Sequence, residues 1–415
     1  MRIVLVVPDY KKDYFTKTFG GANIIVEGIK SYQSSRTKRG LFFKKLGYFL
    51  FHTDTAATRK RYEYYCTGKY GYYYFAVVLG FIGQSFFVRK VVRYIDLHFS
   101  PKGFFTHLFE KYMPDAVFST DIQNENDVSL MQEARLRHIP IIGMIRSWDN
   151  PTQRINRIYP DRLLVGSQCV HDEMIELCNF PKNRMKIVGN PHYDKYKNGS
   201  TKSREEFCAH FGIDSNKPFV LFAPIGDHLI RHNDVDQYIM EILSDVPVQF
   251  LVRFPPDEAV RLVNFKQPAN MAYDKTGVAF SAKELGDREI SSEDDERLIN
   301  SLYHAAFAIT GPTSIPLDAA LIDKPSIVVH FYPSERGFCA SIYSFWVSHI
   351  RKLINTRGVH FAESKQSLLD GINAYLADPR KDAEGRKKIR SLWFSHADGK
   401  ASDRVAWELT SFLGI

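Results

Sequence analysis

The residues 307–329 read FAITGPTSIPLDAALIDKPSIVV. An apolar run stops at Thr310-Gly311-Pro312, two hydroxyls follow at Thr313 and Ser314, and a helical pattern begins with Pro316 in its first turn. Proline is tolerated there because the first-turn N–H groups have no partner inside the helix. Either hydroxyl can cap the helix. The same N–H groups and the positive end of the helix dipole can hold an anion, and the hydroxyls can add donors to phosphate oxygens. The pattern therefore carries two readings, capping alone or capping with a phosphate grip.

A second constellation is SWDNPT, residues 147–152, directly after the apolar run Ile139–Met144. Trp148 can stack on a sugar or a base. Asp149 can bind hydroxyls or act as a general base, with Asn150 beside it. The competing reading is an Asx turn with a packed tryptophan. Asp121 closes the run Ala116–Thr120 and is the rival carboxylate. Arg253 follows the run Gln249–Val252 and offers a permanently charged, bidentate partner for phosphate. Gly226 and His228 lie in the segment PIGDH that ends another run, His192 lies in a Gly-Asn-Pro-His turn, and Gly20-Gly21 follows Asp9, Tyr10 and Asp13 after the first run.

These residues must be held by a sheet. The apolar runs Ile3–Val7, Ala116–Phe118, Ile139–Met144, Leu163–Val165 and Met185–Val188 alternate with helical patterns, and so do Phe219–Phe222, Gln249–Val252, Ala306–Ile309 and Ser326–His330. Short continuous apolar strands separated by helices predict parallel sheets covered on both faces. Two such series predict an α/β protein with two doubly wound, Rossmann-like domains. The expected boundaries are 1–200 and 215–390, joined by the polar stretch 194–216, with a helical tail at 391–415 that can cross back. In such sheets ligands sit at the C-terminal ends of the strands.

The chain has 415 residues, enough for two cores. Its net charge of +8 suits an anionic partner. Much of the basic charge lies in residues 36–94, which are also rich in Tyr and Phe. The apolar stretch Tyr72–Val88 is flanked by basic residues and interrupted by Gly80, Gly83, Gln84 and Ser85. That composition fits a helix lying in the headgroup region of a membrane, with a buried hairpin or a homodimer face as the alternatives. The five cysteines are scattered without a CxxC pair, so no metal site and a reducing, cytoplasmic setting are expected. No recognisable nucleic-acid-binding module is present.

Three motifs in order carry a resemblance. Thr310, Gly311, Thr313, Ser314, Asp318, Ala319, Ala320, Lys324 and Pro325 form the first. Asp398, Gly399, Lys400, Ala401, Ser402, Arg404 and Val405 form the second. Ser147, Trp148, Asp149, Asn150 and Thr152, then Pro160, Asp161, Gly189, Pro191, Tyr193 and Asp194, form the third. Together the chain resembles glycosyltransferases of the two-Rossmann (GT-B) architecture, within the bacterial surface-polysaccharide group that includes CDP-glycerol glycerophosphotransferases. One departure stands out. The phosphotransferase members carry R-x-H-P after a central strand, and here Arg253 and Pro256 are kept while Pro255 replaces the histidine.

The resemblance implies two domains facing a central cleft, and a glycosyltransferase moving a sugar from a nucleotide-activated donor to a cell-surface glycan or lipid-linked acceptor. It implies no cofactor and no metal. Thr310, Gly311, Thr313, Ser314, Arg253, Gly226, His228 and Glu335 would face the donor. Glu335 enters because retaining members carry a ribose-binding carboxylate near that place. Asp149 or Asp121 would serve as base, and Gly20, Gly21, Trp148, Asn150 and His192 would line the acceptor side. Three rivals remain at this point: a CDP-glycerol-type glycerol- or ribitol-phosphate transferase, a UDP-sugar 2-epimerase, and a non-catalytic protein that binds lipid or nucleic acid.

Overall fold

The structure is a computed structural model that describes residues 1–227, 229–230, 232–256, 259–280 and 288–415. The chain divides into two compact units. The first comprises 1–60, 68–188 and 402–415, and the second 61–67 and 189–401. The division falls at Val188–Gly189, ahead of the polar stretch 194–216. Residues 189–198 belong to the second unit because Tyr196 is buried in its core and Asp194 accepts from the Ala401 N–H at 2.9 Å.

The first unit holds two parallel sheets. β1 (Ile3–Pro8) pairs with β2 (Ile24–Ile29), while β3 (Val117–Ser119), β4 (Ile141–Met144), β5 (Arg162–Val165) and β6 (Met185–Ile187) lie side by side in chain order. Every residue of β4 is buried, as a strand covered on both faces requires. The segment after β1 is not a loop. Asp9–Lys11 form a 3-10 turn and Lys12–Phe19 a helix. Gly20 and Gly21 therefore sit beside the N-terminal ends of β1 and β2, where the Ile3 N–H donates to the Asn23 carbonyl at 2.8 Å and Gly21 bridges Ile24. That is the edge opposite to the one where ligands bind in such sheets. Their assignment to the acceptor side is corrected accordingly.

The second unit holds a six-stranded parallel sheet built from β7 (Phe219–Ala223), β8 (Gln249–Arg253), β9 (Met271–Asp274), β12 (Ala308–Thr310), β13 (Ser326–Val329) and β14 (His360–Ala362). A two-stranded hairpin, β10 (Val278–Ala279) with β11 (Arg288–Glu289), lies apart from it. The order β9-β8-β7-β12-β13-β14 winds outward in both directions from the β7–β12 pair. The chain thus reverses its direction of winding between β7 and β12, and a crevice opens at the C-terminal ends of those two strands.

Residues 36–94 form helices rather than a single span. Helix Tyr70–Ile82 and helix Phe86–Phe99 meet at 110°. Among the described residues no single helix is long and apolar enough to cross a membrane, although this bent pair meets the requirement in length and composition together. A buried cluster ties the second helix to the first unit. The Arg157 guanidinium donates to Asp96 at 2.7 and 2.9 Å and to Glu125 at 2.6 Å. In the second unit Cys66 and Cys339 form a disulfide with Cα atoms 5.2 Å apart. Cys169, Cys178 and Cys208 are in no disulfide.

Candidate functional site

The crevice of the second unit is built by the two loops that leave β7 and β12. Thr310, buried at the end of β12, donates its hydroxyl to the Ala223 carbonyl at the end of β7 (2.9 Å). Its Oγ1 also lies 3.0 Å from Thr313 Oγ1, which accepts from the Ile315 N–H at 3.3 Å. Thr310 and Thr313 thus brace the loop internally. Ser314 differs. It occupies the N-cap position of helix Ile315–Leu321, is exposed, and makes no side-chain cap bond. Capping by the Ser314 hydroxyl is therefore not its use here, and Thr313 supplies the local bond instead.

Gly311 is fixed by contact. A Cβ there would stand 2.4 Å from Ile225 Cγ1 and 2.6 Å from Cδ1. Only glycine lets the β7 loop close over the β12 loop this tightly. Gly226 follows in a left-handed conformation, φ +83°. Its N–H donates to Asp236 at 3.0 Å, beside the Ile225 N–H at 2.8 Å and the Asn233 amide at 2.7 Å. The Gly226 N–H is thus engaged within the protein. His228 lies outside the described residues.

Beneath the Thr-Ser loop, one turn into the helix, Asp318 is buried and accepts from the Tyr196 hydroxyl at 2.8 Å. Burial pushes its carboxyl up to about 6, opposed by the charge of nearby His192. Burial also holds the Tyr196 and Tyr193 phenols well above their ordinary range, with the Asp318 charge adding to it. His192 itself is exposed, its ring against Tyr193 at 5.0 Å. Within the second unit, residues 189–194 and 398–401 fold together. Asp194 holds the Ala401 N–H, and a Cβ on Gly189 would come 3.0 Å from Ala401 Cβ.

Arg253 is not presented to the crevice as the sequence suggested. Its Nη1 pairs with buried Asp274, and its Nη2 donates to the Asp294 carbonyl at 2.7 Å. Arg297 joins the same group through Asp274 at 3.2 Å and through Asp294. The guanidinium knits β8, β9 and helix Ser292–His304 into one block. Glu335 is exposed in the loop after β13, next to Arg336, which pairs with Asp234.

In the first unit, the loops after β3 and β4 are stitched together by Gln123. Its amide donates to the Asn150 carbonyl and to Asn156 Oδ1, both at 3.0 Å, and accepts from the Asn150 amide at 3.3 Å. Asn150 Oδ1 in turn takes the Ser147 N–H at 2.7 Å. Asn150 is thus a brace of the loop, its carboxamide engaged on both sides. Asp149 accepts from the Gln153 amide, which is itself held by Arg59 at 2.7 Å. Asp121 accepts from the Gln123 N–H at 3.0 Å. Trp148 is half-buried in the same loop. The structure adds a carboxylate the sequence did not single out. Asp127 accepts from the Ser119 hydroxyl at 2.9 Å and is pushed up to about 6, first by burial and then by the Asp121 charge. Read in sequence, Asp127 is only an acidic residue in the first turn of helix Glu125–Leu136.

Among the described residues no group of three His, Cys, Asp or Glu is arranged to hold a metal ion.

Residues 147–410 match the model of the family described as CDP-Glycerol:Poly(glycerophosphate) glycerophosphotransferase. No curated protein sequence matches the chain. Among solved structures, UDP-GlcNAc 2-epimerase from Neisseria meningitidis bound to UDP-GlcNAc aligns with a TM-score of 0.52 at 12% identity, over 99% of this chain and 100% of that one. A putative UDP-N-acetylglucosamine 2-epimerase from Listeria monocytogenes aligns at 0.50 and 10% identity, over 79% and 80%. The wall teichoic acid polymerase TagF aligns at 0.43 and 13%, over 66% and 69%. At such identities the first two likenesses establish a two-Rossmann fold.

Proposed function

The chain belongs to the CDP-glycerol:poly(glycerophosphate) glycerophosphotransferase family, and from that membership we propose that it moves a sugar from a nucleotide-activated donor to a lipid-linked or surface-glycan acceptor. One observation carries the donor half. The exposed, uncapped Ser314 stands on the Thr-Ser loop at the point where the sheet reverses its winding. That is where doubly wound sheets bind nucleotides.

In this reading the donor diphosphate lies against the loop Thr310–Ser314, and the Ser314 hydroxyl donates to a phosphate oxygen. The bond between the anomeric carbon and the phosphate oxygen breaks as the acceptor hydroxyl attacks. The developing charge on the leaving nucleotide is met by fixed donors of the loop, which act without reorganising at the moment of reaction. We assign no resident cofactor to this scheme. The acceptor proton passes to a carboxylate of the first unit, Asp149 or Asp121, each already oriented by a hydrogen bond. Segment 36–94 brings the enzyme to the cytoplasmic face of the membrane that carries the acceptor.

A second reading, transfer of glycerol or ribitol phosphate, is favoured by the family description. Pro255 in place of the histidine after β8 argues for the sugar. Thermal-shift measurements against UDP, GDP, CDP, CMP and ADP test the donor site. One nucleotide should stabilise the protein, by roughly 2.7 kcal/mol at a hundred times its Kd, and the shift should shrink in Ser314→Ala. No response to any nucleotide would overturn the reading. Phosphorus content of the product then separates sugar from polyol-phosphate transfer.

A further inference from the structure

We infer that helices Tyr70–Ile82 and Phe86–Phe99 form an in-plane docking surface for an anionic lipid bilayer, which rests on the proposed lipid-linked acceptor and names how the enzyme reaches it.

The second helix packs Val88, Val92 and Leu97 on the core and also turns two of its charged side chains inward. Arg89 is buried and donates to the Leu177 carbonyl at 2.5 Å, and buried Asp96 takes two bonds from Arg157. Its aromatic side chains point outward instead: Phe86, Phe87, Tyr94 and Phe99 are exposed, with Val91 and Ile95.

The first helix exposes apolar residues around most of its circumference. Its fully buried residues are small: Ala76 and Gly80 face the protein beside Leu79, and a Cβ on Gly83, just past its end, would fall 1.8 Å from the Leu50 carbonyl oxygen. This seam brings the helix close to the body and leaves Phe75, Val77, Val78, Phe81 and Ile82 in solvent. Phe81 and Phe87, beside the bend, are 73% and 74% exposed. Water-soluble monomers rarely expose a contiguous apolar area of this kind.

The charge around the patch selects the occupant. Lys45, which lies over the Tyr72 ring, Lys69 and Lys90 are exposed beside it, and between residues 64 and 99 the one acidic residue, Asp96, is buried. A second copy seated here by a two-fold axis would set basic rim against basic rim. Anionic headgroups complement it. Each helix is too short to span the hydrocarbon core, and the 110° bend presents both side by side. A shallow position at the headgroup boundary follows, with Phe81 and Phe87 inserted and the lysines above them. The buried Arg157–Asp96–Glu125 cluster fixes the second helix to the body, so that contact with lipid orients the whole first unit.

The test is co-sedimentation of the full chain with phosphatidylcholine vesicles and with mixed phosphatidylcholine–phosphatidylglycerol vesicles. The parent should pellet with the mixed vesicles. Phe81→Glu with Phe87→Glu should abolish pelleting, at least about tenfold for each phenylalanine. Lys45→Glu, Lys69→Glu and Lys90→Glu together should remove the preference for the anionic vesicles, about fivefold for each charge at low salt. The inference fails if the parent stays in the supernatant with both vesicle types, or if the phenylalanine pair changes nothing. It also fails if light scattering shows a dimer that the same pair dissolves, which would give the face to a second copy. Nucleotide thermal shifts on the same variants keep the two readings apart. Lost pelleting of the phenylalanine variant with its nucleotide response intact supports the docking surface, whereas a parent that answers nucleotide but pellets with neither vesicle type would overturn the docking surface alone. Pelleting without any nucleotide response would overturn the transferase reading alone.

Discussion

The Tyr196 hydroxyl reaches across 122 positions of sequence to donate to the Asp318 carboxyl at 2.8 Å, directly beneath the Thr-Ser loop. The pair is buried, and burial raises the Asp318 pKa from 3.8 to about 6. A carboxyl raised on folding binds its proton more tightly in the native state. The native state therefore holds more protons than the unfolded chain between about pH 4 and pH 6, and stability falls as pH rises through that window. The loss is complete above the folded pKa and amounts to roughly 3 kcal/mol at most. Asp318→Asn keeps an acceptor for Tyr196 and removes the titration. Its stability should be flatter between pH 4 and pH 6 and should equal or exceed the parent's above pH 7. Urea denaturation at a series of pH values reads this directly, and an unchanged slope in the variant would assign the titration elsewhere.

Ser314 and Thr310 sit in one loop yet should fail differently. Thr310 is buried and ties β12 to the Ala223 carbonyl, so Thr310→Val should cost about 1 kcal/mol of stability. Ser314 is exposed with no cap bond, so Ser314→Ala should stay within about 0.5 kcal/mol of the parent. A hydrogen bond to a charged phosphate contributes about 1.5–3 kcal/mol, so the same change should weaken nucleotide binding or kcat/KM by roughly tenfold or more. Equal stability losses with equal nucleotide affinities would remove Ser314 from the donor site.

Gly311 and Ile225 should be coupled. Gly311→Ala places a methyl 2.4 Å from Ile225 Cγ1, and overpacking of this kind costs about 1–3 kcal/mol. Ile225→Ala removes the atoms that clash and itself leaves a cavity. The double variant should be more stable than the sum of the two single losses predicts, by at least about 0.5 kcal/mol. Additive losses in a double-mutant cycle would show that the two loops do not meet at this point.

The Cys66–Cys339 disulfide sets a simple count. Denatured without reductant, the protein should show three reactive thiols, from Cys169, Cys178 and Cys208. After reduction it should show five. Five in both states would mean that the pair is not formed in the isolated protein.

Much of the fold was legible because continuous apolar runs such as FVLFA at β7 and SIVV at β13 are what strands buried on both faces must be. Among the runs that escaped are β2, whose IIVEGI includes a glutamate and a glycine, and the short outer strands β9 and β14, MAYD and HFA. Those edges are partly exposed and carry mixed sequences. The Thr-Ser loop was legible because strand, Gly-Pro, hydroxyls and helix follow one another locally. The state of Asp318, the elevated Asp127 and the bond between Cys66 and Cys339 depend on partners distant in sequence or on burial, and no local pattern carries that information. The helix Lys12–Phe19 was missed for a local reason: Lys, Asp and Thr fill five of its eight positions, and its apolar side chains, Tyr14, Phe15 and Phe19, are not buried.

The non-local partners matter most for Arg253, whose type suggested a phosphate ligand and whose surroundings say otherwise. Its side chain is 10% exposed and paired with Asp274, itself 3% exposed, and its second Nη holds the Asp294 carbonyl. Removing one member of a buried pair leaves the other charge uncompensated, at about 3–5 kcal/mol. Arg253→Ala should therefore lower the urea midpoint strongly, and Asp274→Ala should do so by a similar amount. The double variant should lose less than the sum, because neither charge is then left alone. If Arg253 instead served the donor phosphate, Arg253→Ala would weaken nucleotide binding while Asp274→Ala would not, and the two would not couple in stability. Measuring both urea midpoints and nucleotide shifts for the three variants separates the roles, since a structural arginine moves the first readout in partnership with Asp274 and a ligand-binding one moves the second alone.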